Sequence, residues 1–510
     1  MIIENIFSFL LIFISLILYW GYRCKTFWHR NNIPYVDGPI FLGNFFKTMF
    51  LKQHLSVTFD YLYNHEIAKN EPFIGVNIFY KPIILLRDPD LINRIFIKDF
   101  NCFYERHTSG NPKSDPIGAN NLFQVRNPKW RLLRNKLSPV FTKSKMRKMF
   151  YMVEKVGNDL NQRVKHLVNE KEKSKLDVKE ISGYFTTDVI SIIAFGTYAN
   201  SIKDPQNSEF LKAAKKSFMH STWSKLAFNC IFFLPEVMSL LKLKTFDPKF
   251  ESFLRRLLKT VMNERQKNEG FRNDFVDVLL KIQQLEEGNP DSIFTEDVLL
   301  AQAAVFVAAG FETSSSTIAF ALYEIARNKN IQERIRKEIS SILVNHENVV
   351  PFEAINSEMP FLHAVVSETL RLYPILGVLD RKCVVPEGYS LEPYSSFRIP
   401  YGMAVYVPVA PIHYNSEYYP DPKIFDPNRF LEKKMHSDTF LGFGLGPRNC
   451  IGERFAWIQV KMAIISLLKS FKIELCVNTH APLQLDESCI LSVPKDGIQI
   501  KFISDELSIL

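Results

Sequence analysis

Residues Phe443–Gly452 read F-G-L-G-P-R-N-C-I-G, and a helical pattern, E-R-F-A-W-I-Q-V-K-M-A, starts directly after them at Glu453. Cys450 therefore stands at the N-terminal edge of a helix, where free backbone N–H groups and the positive end of the helix dipole favour negative charge. That position predicts a lowered thiol pKa and a thiolate able to bind a metal. Gly444, Gly446 and Gly452 carry no Cβ, so the loop can lie close against a flat ligand. Phe443 is placed to cover the sulfur, and Arg448 to reach an anionic edge of the same ligand. The competing reading of a lone cysteine is a small buried hydrophobe, so the rest of the chain has to decide.

Upstream, Thr295 fits an N-cap, Glu296 and Asp297 fill a first turn, and the helical pattern runs to about Asn328. About 33 residues at 1.5 Å each make a helix of about 50 Å, long enough to cross a domain. From Val298 to Ala309 it is almost wholly apolar, which predicts burial on most sides. Inside it, Ala309–Ser314 reads A-G-F-E-T-S. Gly310 in a helix interior costs about 1 kcal/mol relative to alanine; its use would be to let the backbone approach a bound cofactor, with an acid, Glu312, and an alcohol, Thr313, at the same place. The plainer alternative has Thr313 bonded back to a carbonyl and Glu312 capped by a neighbour. Pro360 suits the first turn of another helix, which Pro374 stops. On it Glu368 and Arg371 share a face, ordinarily a surface ion pair of small worth. Further on, Phe425–Phe430 reads F-D-P-N-R-F, and an earlier W-R-L-L-R places Trp130 and Arg134 at i and i+4.

Together F-x-x-G-x-R-x-C-x-G, A-G-x-E-T, E-x-x-R and P-x-R-F occur in the order and at the spacing of the cytochrome P-450 family, which this chain resembles over nearly its whole length. The wording of the cysteine loop looks closest to the microsomal clan of liver drug oxidases, insect detoxification enzymes and thromboxane synthase. The resemblance implies a mainly α fold with small β-sheets, the cytochrome P-450 fold, preceded by an N-terminal transmembrane helix. It implies haem b, iron protoporphyrin IX, with Cys450 as the axial iron ligand, Phe443, Gly446 and Gly452 around it, and Arg448, Trp130, Arg134 and Arg381 toward the propionates. Glu312 and Thr313 would route protons to oxygen beside Gly310. Glu368, Arg371 and Arg429 would form a buried triad that pins the segment before the cysteine loop.

The implied activity is a monooxygenase that hydroxylates or epoxidises lipophilic substrates of xenobiotic, steroid or fatty-acid type, using O2 and electrons from NADPH through a reductase, with cytochrome b5 as a second candidate donor. Two rivals stay open: an isomerase acting on a peroxide without O2 or NADPH, and a non-catalytic haem- or lipid-binding protein. Substrate contacts are expected from Phe123, Phe306, Ala309, Ile375, Leu376, Leu379, Ile490 and Leu491. Nearly all are apolar, which predicts a lipophilic small molecule held by burial. Leu226–Pro235 is strongly apolar and reads either as a pocket roof touching the membrane or as one more core helix. Lys136, Lys143, Lys145, Arg147 and Lys148 form a solvated basic face, which the resemblance would assign to an acidic flavin domain.

The 510 residues contain no Gly-, Ser- or Pro-rich linker and no repeat, so one large domain is expected. A content of 46% hydrophobic residues suits a large apolar pocket and equally any large core. Seven cysteines without a C-x-x-C point to a reducing compartment, with neither a disulfide framework nor a zinc site. The net charge of +9 is spread along the chain and gives no argument for nucleic acid; an acidic partner or an anionic membrane accounts for it as well. Ile6–Tyr22 carries no charge over 17 residues, the lower end of a membrane span. Arg23, Lys25, His29 and Arg30 follow, which puts the downstream chain in the cytoplasm with Tyr19, Trp20 and Tyr22 at the interface. No basic n-region or small-residue cleavage site marks a secretory signal, and the segment is not Arg-rich as a transit peptide is. The expected organisation is an anchor over 1–22, a basic hinge over 23–50 containing Pro34 and Pro39, and a catalytic domain over 51–510, single-pass in the endoplasmic reticulum membrane.

Overall fold

The computed structural model describes residues 2–169, 174–217, 221–268, 274–289, 292–431 and 438–507. The helices that matter for the site are α1 (Ile2–Lys25), α2 (Lys129–Leu137), α3 (Lys143–Asn169), α4 (Val178–Phe195), α5 (Thr222–Phe233), α6 (Glu296–Arg327), α7 (Pro360–Leu372) and α8 (Glu453–Leu468). Thr295 caps α6 by accepting the Val298 N–H at 3.4 Å, and the helix then runs for 32 residues. It is long and apolar enough to cross a membrane, yet 67% of its apolar window is buried inside the protein, so α6 is a core helix. α4 lies along it: Gly183 receives the Phe311 ring, and Thr186 Oγ1 donates to the Phe311 carbonyl at 3.3 Å. At its far end the buried Glu324 accepts the Tyr373 hydroxyl at 2.6 Å while Phe320 stacks on the Tyr373 ring, locking α6 to the end of α7. α3 backs α8, with Gly157 set against Ser466 and Asn161 donating to the Ser466 carbonyl.

A four-stranded sheet closes one side of this helical body. β1 (Phe73–Ile78) pairs antiparallel with β2 (Lys81–Leu86), Gly75 opposite Ile84. Of the two later strands, β3 (Val378–Lys382) and β4 (Ala404–Pro408), β4 runs parallel to β2 with Val405 opposite Ile84, and β3 flanks β4 antiparallel with Arg381 opposite Val405. Every residue of β4 is buried, as expected of a central strand covered on both faces. A second sheet joins Lys175–Asp177, Gln499–Ser504 and Phe471–Leu475.

The stretch 23–50, expected to be a hinge, belongs to the folded body from Trp28 onward. The Trp28 indole is fully buried over Gly75, where a Cβ would collide with it, and its Nε1 donates to the Val76 carbonyl at 3.2 Å and to Asn77 Oδ1 at 3.1 Å. Phe45 packs between Phe59 and Phe233. The apolar run Leu226–Pro235 is mostly core: Ala227–Phe233 is buried, and the exposed apolar side chains sit at either end of it, at Trp223 and Leu240. Along α1, by contrast, Leu10, Phe13 and Leu16 are exposed. Trp28→Ala is expected to cost about 3–5 kcal/mol, read as a lowered unfolding midpoint, whereas Phe13→Ala leaves that midpoint within about 0.5 kcal/mol of the parent.

Candidate active site

The site hangs on a buried carboxylate. Glu368 is 0% exposed; its Oε2 accepts Arg371 Nε at 2.7 Å, and its Oε1 accepts Arg371 Nη2 at 2.8 Å, Arg429 Nε at 3.1 Å and the Asp426 N–H at 3.0 Å. The i,i+3 pair that is ordinarily a surface feature is thus shared between two guanidiniums in the interior. Arg371 Nη1 also donates to the His413 carbonyl at 2.8 Å, and Arg429 Nη1 to the Pro420 carbonyl at 2.9 Å. His413, which no sequence signal singled out, is buried, with Nδ1 3.1 Å from the Arg371 carbonyl and Nε2 accepting the Leu441 N–H at 2.9 Å. A carbonyl on one nitrogen and an N–H on the other select the neutral Nδ1–H tautomer. The imidazole so joins α7 to the residue two before Phe443.

Gly444 and Gly446 take φ of +78° and +73°, which lets the loop turn sharply. A Cβ on Gly446 would collide with the Phe96 carbonyl, so this glycine serves a backbone approach on the outside of the loop, and not a ligand face as expected. Gly452 does face the interior, and the Cys450 N–H closes the loop on the Phe443 carbonyl at 2.8 Å. Burial pushes Cys450 up to about 11, outweighing the Gly452 N–H and Arg134. Against that burial, a cation bound to the sulfur favours the thiolate.

Between this loop and α6 lies a cavity of about 330 Å³. One end is cationic. Arg134 donates to the Asn449 carbonyl at 3.0 Å and to Asn449 Oδ1 at 2.9 Å, and Arg448 lies over the Trp130 ring at 4.2 Å while donating to the Tyr104 and Val125 carbonyls. Arg106, missed in the sequence, also lines the cavity, and it donates to Asp380 Oδ1 at 3.0 Å and to the Arg448 carbonyl at 3.1 Å. Arg381 does not reach the wall. It donates to the Asp380 and Leu445 carbonyls and lies over Phe96, bracing the loop from behind. Of these guanidiniums, Arg106 pairs with Asp380 and Arg448 with Glu105, while Arg134 donates to Asn449 and Arg381 to backbone carbonyls. Burial and mutual repulsion push Arg448 down to about 9 and Arg381 well below the usual range, and Arg106 Nε and Arg448 Nη1 are buried without a partner. Guanidiniums outnumber carboxylates at this end of the cavity, an excess of positive charge that the propionates of haem would offset. The residues present fit the group.

Across the cavity, Phe306, Ala309, Gly310 and Thr313 of α6 form the facing wall. A Cβ on Gly310 would strike Ile190 of α4, so the glycine also serves helix packing. Thr313 Oγ1 donates to the Ala309 carbonyl at 2.7 Å. Glu312 is turned off the wall, since one residue is about 100° around a helix of 3.6 residues per turn. Its Oε1 accepts Lys179 Nζ at 2.7 Å and Ser316 Oγ at 3.2 Å. Phe123, Ile375, Leu376 and Leu379 line the cavity as expected from their neighbourhood. Ile490 and Leu491 do not: they are buried behind the wall, where Leu491 bridges Leu376.

A profile of the family described as Cytochrome P450 matches residues 37–502. Among similar proteins are "Probable cytochrome P450 6g2" of Drosophila melanogaster, 37% identical over 497 residues and covering 95% of both chains, and "Cytochrome P450 6k1" of Blattella germanica, 34% identical over 506 residues, 95% of this chain and 94% of that one. Glu368→Ala leaves two buried guanidiniums without their carboxylate, a loss of about 3–5 kcal/mol. The expected result is protein without haem, and a normal haem-to-protein ratio would refute the role of the triad.

Proposed function

The chain belongs to the cytochrome P450 family, and from that premise we propose that its haem-thiolate monooxygenase chemistry is directed at lipophilic small molecules, with electrons drawn from NADPH through a flavin-containing reductase. The observation that carries this reading is the placement of the Cys450 thiol and the Ala309–Thr313 turn on opposite sides of one cavity that is cationic at one end and apolar elsewhere. Cys450 would hold haem b, whose thiolate-ligated iron would supply the oxygen-activating chemistry. Arg106, Arg134 and Arg448 hold its propionates, and Phe443 shields the sulfur from water. Thr313, on the wall, presents its oxygen to a water while its own hydrogen bond to Ala309 keeps it oriented. Glu312 works from the other flank of α6. Half-buried beside Lys179, it can exchange protons with the solvent side. The apolar side chains of Phe123, Phe306, Ile375, Leu376 and Leu379 bind the substrate by burial and leave few polar contacts to orient it. Substrates of xenobiotic, steroid or fatty-acid type all fit such walls.

We propose in addition that α1 anchors the protein in the endoplasmic reticulum membrane as a single span. The uncharged run Ile6–Tyr22 within its 24 residues reaches about 26 Å at 1.5 Å per residue, close to a hydrocarbon core of about 30 Å. Trp20 near its end contacts Phe41 and Tyr80, and Tyr80 in turn donates to Glu236 at 2.7 Å, at the start of the short helix that carries the exposed Leu240. The anchor and these exposed apolar residues are so tied to the same part of the body. Lys136 on α2 and Lys143, Arg147 and Lys148 on α3 are exposed, a surface suited to the acidic flavin domain of the reductase or to cytochrome b5.

Turnover in membranes with reductase, NADPH and isotopically heavy O2, screened over steroids, fatty acids and drug-like compounds, is expected to yield labelled product that is lost in Cys450→Ser. In Thr313→Ala, NADPH consumption continues while product falls several-fold. Product formed without label, O2 or NADPH would overturn the reading. Lys143→Glu with Lys148→Glu is expected to slow reduction by the reductase without changing haem content, and an unchanged rate rules out this docking face.

A further inference from the structure

Phe443, which with Cys450 lines the cavity, is the inner end of a series of ring contacts that reaches the surface. Its ring lies 5.4 Å from that of Trp457 on α8, and Trp457 lies 4.1 Å from His363 on α7, the two planes only 34° apart. His363 is exposed and Trp457 half-buried. At the inner end the Phe443 carbonyl accepts the Cys450 N–H at 2.8 Å, so one hydrogen bond completes the connection to the sulfur-bearing residue. Neither His363 nor Trp457 holds the cysteine loop by a hydrogen bond of its side chain, and no motif asks for an aromatic residue at either position.

The basic face proposed for the reductase adjoins the outer end. Arg147 pairs with Glu353 on the helix Phe352–Ser357, the Ile355 carbonyl of that helix accepts Lys461 Nζ at 2.8 Å, and the Lys461 ammonium lies 6.0 Å from the Trp457 ring centre. Arg454, exposed, is one turn before Trp457 on α8. A redox partner seated on the exposed Lys143, Lys148 and Arg454 would have the His363–Trp457 pair within its footprint.

We propose that the His363–Trp457–Phe443 stack is the electron port of this protein. One electron leaves a reduced flavin of the partner and arrives at the haem iron; the rings are the bridge between them and are not themselves reduced. Packed rings couple electronically better than the gap that a smaller side chain leaves, which is why the stack outperforms a surface of aliphatic residues. The inference rests on the reductase reading above.

The test mixes NADPH with holoenzyme and reductase under carbon monoxide and follows the 450 nm band. Trp457→Leu is expected to slow the first electron several-fold and Trp457→Phe to keep it near the parental rate, while the dithionite-reduced spectrum and the affinity for the reductase stay unchanged in both. An unchanged rate in Trp457→Leu overturns the port, and so does a loss explained by weaker reductase binding. If the parent itself is reduced by dithionite but not by the reductase, the partner reading falls instead. The same pair of variants is then compared with electrons flashed from a ruthenium photosensitiser coordinated to the exposed His363, where equal rates in parent and Trp457→Leu overturn the port without reference to any partner.

Discussion

The Glu368 carboxylate is the constraint on which the site depends. A charge sealed from water is tolerable only when it is fully paired, and this one is paired from two directions: by Arg371 on its own helix and by Arg429 from a segment 61 residues further along the chain. The buried end of α7 depends on the 420–430 segment for its second guanidinium, and His413 links the Arg371 carbonyl to the Leu441 N–H, two residues before Phe443. A loop whose glycines could take many conformations is thereby reduced to one.

A second constraint is electrostatic. One end of the cavity concentrates guanidiniums beyond what Asp380 and Glu105 can balance, and the thiol above it is held neutral by burial. Each is unfavourable alone. A flat ligand with two negative arms and a positive metal centre answers both at once, because its propionates complete the arginine cluster and its iron stabilises the thiolate. Binding free energy of that kind adds to the stability of the folded state, so the cofactor is part of what the polar interior is organised around.

What could be read from the residues follows from what kind of force places each one. The long helix with its Thr295 cap, the helix stopped at Pro374 and the i, i+4 pair of Trp130 and Arg134 all rest on local periodicity and capping, and those survive folding unchanged. Glu312 was misplaced because two adjacent residues were assigned to one face when the helix sends them to different ones. Arg381, Gly446, Ile490 and Leu491 lie at the right place in the chain but one layer behind the wall, a distinction set by packing against Phe96 and Leu376 that no spacing encodes. Arg106 and His413 were invisible for the converse reason: each is a single polar residue whose partners, Asp380 and Leu441, come from distant segments. At Cys450 the helix terminus that favours a thiolate is opposed by burial, a balance that spacing does not reveal.

The division between the two sides of the cavity also bears on how selectivity and chemistry are separated here. On the side of Cys450, side chains are held by hydrogen bonds to backbone carbonyls, as Arg134 is to Asn449 and Arg448 to Tyr104 and Val125. Such contacts fix position to a fraction of an ångström and leave little freedom to vary. On the substrate side the walls are apolar side chains drawn from separate places, Phe123 from a loop before α2, Phe306 from α6 and Ile375–Leu379 from the run into β3. These make contact by shape alone, where one methylene is worth about 1–3 kcal/mol of discrimination. Exchanging them alters which molecule fits without disturbing the carboxylate, the imidazole or the sulfur. A chain built this way can keep one reaction while its substrate changes, which is why the motifs identify the chemistry and leave the substrate open.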